Sequence, residues 1–129
     1  MSTSYLDVLN VFHSLLKSKF EIDVGLEYQW FLNALADYEL ELSELNYLES
    51  QRVFADSLPR YIVKTLGIIM YVNYLTQELS RVMKLNGIIG KDISLTGMDA
   101  TKRVTIEELQ SEKIYAEKLL HKQKQHAFN

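Results

Sequence analysis

The chain has 129 residues, 47% of them hydrophobic, a net charge of −3 and no cysteine. That length makes one domain with a real but modest core, and the missing thiols exclude disulfides and thiolate metal sites. The longest charge-free run near the centre, Thr65 to Gln77, is thirteen residues and holds Asn73, too short to span a bilayer, and no secretory signal pattern opens the chain.

In chain order, Ser4 followed three residues later by Asp7 reads as a helix start. Val8, Leu9, Phe12, Leu15 and Leu16 then fall at helical spacing, giving a first helix over roughly 4–18. The run Phe20-Glu21-Ile22-Asp23-Val24 alternates like a very short extended segment before Gly25. From Leu26 a second helical pattern, with Phe31, Leu35, Tyr38 and Leu42, reaches about Ser43. Residues 45–57 lose clear period and serve as a connection.

The third helix, 59–85, is the strongest pattern in the chain. The only proline, Pro59, suits a helix start, where its missing N–H has no intrahelical partner, and Ser57 or Asp56 can cap ahead of it. Two stripes follow, Ile62, Leu66 and Ile69 on one side and Ile68, Val72, Leu75, Leu79 and Val82 on another. Such a helix is buried on more than one face, either at the centre of a small bundle or half-closed by another subunit. Asn86-Gly87 supplies a stop.

Three of the five glycines, Gly87, Gly90 and Gly97, fall in the next stretch, read as an extended loop over 86–104. Thr105-Ile106-Glu107-Glu108 then reads as a capping box opening a fourth helix to about Lys124. Its acids lie early and its lysines late, complementing the helix dipole. A polar tail, 122–129, ends the chain. The expected fold is therefore all-α, one four-helix domain over 1–129 with a long central helix, a glycine-containing loop and a C-terminal tail. Charge is uneven across it: residues 26–58 hold seven acids against Arg52 alone, and residues 113–129 hold four lysines against Glu117. Solvated helix faces account for this, or the basic end meets an acidic surface on a neighbour.

Catalytic patterns are sparse. A phosphate-binding loop needs four residues between its glycines, a hydroxyl after the lysine and a preceding strand. Gly87-Ile88-Ile89-Gly90-Lys91-Asp92 follows a helix and puts a carboxylate where the hydroxyl belongs. The same run is closer to the GXXG clamp of KH nucleic-acid-binding domains, but its middle residues are apolar and Ser94-Leu95-Thr96-Gly97 does not open a helix. His13, His121 and His126 lack metal-ligand spacing. Glu39/Glu41 and Glu107/Glu108 do not share a helix face as an acid–base pair would, and read as solvated. The eight tyrosines and Trp30 read mostly as core or boundary packing. The expectation is a non-enzymatic protein with no cofactor and no metal.

What remains is a loop offering Ile88, Ile89, Lys91, Asp92, Ile93 and Leu95 with no catalytic group beside them. Free apolar loop residues are costly in a monomer, so a protein partner is expected. The run from Leu58 through Gly97, "LPRYIVKTLGIIMYVNYLTQELSRVMKLNGIIGKDISLTG", with the charged last helix and the ending "HKQKQHAFN", resembles the small α-helical head–tail connector (adaptor) proteins of long-tailed bacteriophages and prophages. The similarity covers roughly residues 45–129 and rests on layout. It implies a virion structural protein, assembled in the bacterial host cytoplasm as a ring, usually of twelve copies. The ring docks on the portal protein of the DNA-filled head and offers its other face to a neck or tail-completion protein, while DNA passes through without specific binding. By position, the resemblance assigns portal binding to the tail, Lys122, Lys124, Gln125, His126, Phe128 and Asn129, and subunit or neck-protein contact to the six loop residues. The alternative is a helical regulatory or nucleic-acid-binding module using Gly87–Gly90 as a backbone clamp.

Overall fold

The computed structural model describes residues 2–16, 22–85 and 100–127. These form four helices and one small hairpin: α1 Tyr5–Leu15, α2 Val24–Glu41, β1 Tyr47–Leu48, β2 Val53–Phe54, α3 Arg60–Leu85 and α4 Ala100–Ala127. The expected all-α fold, organised on the third helix, is the one observed.

The start of α1 follows the sequence. The Asp7 carboxylate reaches back to accept the Ser4 N–H at 2.8 Å, and Tyr5, Val8 and Phe12 bury one face. The second helix begins earlier than its apolar pattern suggests. Asp23 caps it by accepting the Leu26 N–H at 3.1 Å, so Val24 opens a helix and ends no strand. The rest of the expected extended segment, apart from Ile22 and Asp23, lies outside the described residues.

The connection over 45–57 is more ordered than its lack of period suggests. β1 and β2 pair antiparallel, Tyr47 opposite Phe54 and Leu48 opposite Val53. The segment before α1 adds a third edge, with Phe54 N–H donating to Thr3 O at 2.8 Å and Tyr5 N–H to Arg52 O at 2.9 Å. Two-residue strands do not hold by themselves. Phe54 anchors these, being fully buried against Tyr47 and Phe31, with ring centroids 5.0 and 6.3 Å away. Arg52 takes a left-handed φ of 55° and lays its guanidinium 4.1 Å from the centre of the Tyr28 ring.

Helix α3 is the axis of the fold. Every residue from Thr65 to Tyr71 is buried, close to two full turns, which no amphipathic surface helix does. The other three helices of the same chain provide the cover: α1, α2 and α4 each pack on α3 and only lightly on one another. Of the two ways the sequence left for burying this helix, the intramolecular one is observed. At Gly67 the α1 backbone comes so close that an added Cβ would lie 2.5 Å from Val11 Cγ1.

Helix α4 is longer than expected at both ends. It begins at Ala100, so residues 100–104 belong to the helix and Thr105 does not open it. The carboxylate expected to cap, Glu108, instead accepts the Tyr71 hydroxyl at 2.6 Å. Ile106, Leu109 and Ala116 bury the inner face. The polar tail also proves helical through Ala127, because its residues dock on α2 and α3 as described next. Among the described residues, no helix is long and apolar enough to cross a membrane.

Candidate functional site

The end of α4 lies across the end of α2 and the start of α3. Gln123 ties the three together: the Tyr38 hydroxyl donates to its Oε1 at 2.6 Å, and its Nε2 donates to Thr65 Oγ1 at 2.8 Å. Thr65, fully buried, donates in turn to Tyr61 O at 2.7 Å. Each of these three side chains is hydrogen-bonded within the corner, which fixes the three helices against one another. Burial, and then the nearby Tyr61 phenol, push the Tyr38 hydroxyl up to about 12, which keeps it a donor.

Beside this network lies an open cleft of about 620 Å³. Leu42, Ile62 and Leu119 give it apolar walls, with Ser43, Tyr61 and Lys122 also on its lining. From its rim a cationic, aromatic edge runs along the first turn of α3 and the adjoining side of α4. Tyr61 is 56% and Tyr115 38% exposed. Lys64 reaches to 5.7 Å from the centre of the Tyr115 ring, and Arg60 and Lys122 are exposed beside them. A cleft walled by aliphatic groups and edged by cations and phenols fits a protein surface carrying an acid and one or two large side chains.

The tail residues assigned by position divide. Lys122 lines the cleft. Lys124 turns to its own subunit, 3.8 Å from Glu41, both about half-exposed, a pairing worth under about 1 kcal/mol. Gln125 and His126 lie in the last turn of α4, whereas Phe128 and Asn129 lie outside the described residues. All six loop residues, Ile88, Ile89, Lys91, Asp92, Ile93 and Leu95, also lie outside them.

The cationic edge escapes sequence reading because Tyr61 and Lys64 are some fifty residues from Tyr115 and Lys122. The available signal is local, two exposed polar positions three apart at the start of an otherwise apolar helix. Gln123 gave no signal at all. Sequence reasoning also missed a part-buried histidine–carboxylate contact: His13 Nε2 lies 2.6 Å from Glu27 Oε2, with the carboxylate 6% and the imidazole 47% exposed. Glu39, expected to be solvated, instead accepts the Leu45 N–H at 2.9 Å and fixes the turn out of α2. Most of the described aromatic residues pack in or against the core, Trp30 against Phe12 and Tyr74 among them. Among the described residues, no three His, Asp or Glu side chains gather as a metal site.

Comparison with family models, with curated proteins and with solved structures gives no match for this chain.

Proposed function

We propose that this protein is a non-enzymatic assembly protein of a phage neck, forming a ring that docks on the portal protein and links the DNA-filled head to the tail. The observation that carries this reading is the cleft at the end of α4 with its edge of Arg60, Tyr61, Lys64, Tyr115 and Lys122. It is a surface for a partner: half-exposed phenols give large contact area at low entropic cost, and cations beside an apolar cleft select an acidic, partly hydrophobic face. The polar groups beneath it are engaged in holding the three helices together, so the corner is pre-organised for docking.

The test alters this edge and leaves the fold alone. Lys64→Glu with Lys122→Glu changes two exposed side chains, so circular dichroism and melting temperature stay as in the unaltered protein. Docking on purified portal-bearing heads is expected to be lost, and complementation with the variant to yield DNA-filled heads without tails. Docking of the unaltered protein weakens with salt, as cationic contacts do. Normal joining by the doubly reversed variant overturns the assignment. Loss of binding to a duplex oligonucleotide, with head–tail joining intact, would instead assign these cations to nucleic acid. Truncation after His121 is a poorer test, because it also removes Gln123 and its bonds to Tyr38 and Thr65.

A further inference from the structure

Away from the cleft, residues of α2, α3 and α4 line a groove of about 300 Å³. Its floor includes Ile69, Val72 and Leu120, and its α2 rim carries Asp37, Leu40 and Glu41. Leu40 is 85% exposed, the most exposed large hydrophobic side chain among the described residues. The α4 rim carries Glu117 and Lys113, so three carboxylates border an apolar floor with the Lys113 ammonium among them, and Lys124 stands 3.8 Å from the half-exposed Glu41. The acids strain against each other: burial, and then the Glu41 charge, hold the Asp37 carboxyl above its ordinary value.

The same chain carries a face of opposite character. On the outward side of α4, Ile114 is 66% exposed and Lys118, one turn further on, is exposed too. Ile114 and Lys118 stand four residues apart, as do Asp37 and Glu41, a separation of about 6 Å along a helix. Two helices side by side can therefore seat Ile114 against Leu40 and the groove floor while Lys118 lies at the two acids.

We infer that this groove receives α4 of a second copy of the chain, with Ile114 in the groove and Lys118 between Asp37 and Glu41. This is a contact between subunits, and it rests on the assembly reading above. It shares no lining residue with the cleft that faces the partner.

Light scattering and native mass spectrometry of the full chain, over a concentration series, supply the readout. Lys118→Glu alone, and Asp37→Lys with Glu41→Lys, each place like charges across the contact. Each is expected to weaken self-association by about tenfold or more, with unchanged circular dichroism. An equimolar mixture of the two variants places opposite charges at every contact and is expected to restore the assembly, with both proteins in it in equal amounts. Self-association undiminished in either variant, or a mixture that stays dissociated, overturns the groove assignment while leaving the assembly reading in place. An unaltered chain that stays monomeric, at high concentration and on portal-bearing heads, overturns both.

Discussion

Two residues show how much a single side chain decides here. Gly67 sits in the middle of α3, where glycine is worse than alanine by about 1 kcal/mol on helix propensity alone. Replacement by alanine is nevertheless expected to destabilise the protein. The new methyl would lie 2.5 and 2.8 Å from Val11 Cγ1 and Cβ and 3.3 Å from the Phe12 backbone nitrogen. Val11 is branched at the obstructing carbon, so it has no flexible end to swing aside, and α1 must move off α3. Overpacking of this kind costs about 1–3 kcal/mol. Gly67→Ala should therefore lower the unfolding free energy in urea, and adding Val11→Ala should recover part of the loss, as coupling between contacting sites requires. An increase in stability for the single variant would show that the helices part freely. Glu27 makes the complementary point. Its carboxylate is buried and tolerated because His13 bridges to it from the neighbouring helix, and removing His13 leaves that carboxylate poorly satisfied.

Helices differ in how they secure their burial. α3 has neighbours on every side from Thr65 to Tyr71, so its side chains carry the core: Leu75 is 4% exposed and Leu66 and Met70 fully buried. Leu75→Ala is expected to cost about 2–5 kcal/mol, through lost transfer energy and a residual cavity. Leu40→Ala on α2, at 85% exposure, should change stability by less than about 0.5 kcal/mol. Denaturant titration of both distinguishes a core helix from a surface one; a change below about 0.5 kcal/mol at Leu75 would contradict the packing described. α4 depends on polar ties as well as burial. Tyr71 donates to Glu108 early in the helix, and Tyr38 donates to Gln123 near its end. These ties hold a helix whose last stretch, residues 121–126, is entirely polar.

At the scale of the whole molecule, tyrosines link the helices and the hairpin, and their ionisation lowers the stability of the fold at alkaline pH. Burial is the first cause in each case, pushing Tyr5 and Tyr38 up to about 12. Tyr47, held also by its bond to Tyr28, and Tyr71, held by its bond to Glu108, are raised further still. Each phenol is neutral in the folded state at a pH where the unfolded chain has begun to release the proton. Stability is therefore unaffected by them below the ordinary phenol value near 10 and falls as pH rises from about 10 to 12. Tyrosinate absorbance and far-ultraviolet circular dichroism followed together should show these phenols ionising as the helices melt. Complete tyrosine titration with helicity intact would place these rings in solvent.

The sequence by itself determined the helices of this protein, their order and the central place of α3, because apolar spacing and caps are local and a short window contains them. Val8 and Phe12, Phe31 and Leu35, Leu75 and Leu79 all lie within one turn of each other, and Pro59 marks the start of α3. It misplaced the start of α4 because a threonine followed three residues later by glutamate also occurs inside helices; Glu108 is engaged by Tyr71, which no window near Glu108 contains. It treated the residues from 122 onward as a tail because their composition is polar, although Gln123 is held by Tyr38 and Thr65, residues 85 and 58 positions away. The tertiary structure alone decided the His13–Glu27 pair, the cationic edge of Lys64, Tyr115 and Lys122, and the acidic groove at Asp37 and Glu41. Each is assembled from side chains on different helices, and their distance apart is fixed only when those helices pack on α3.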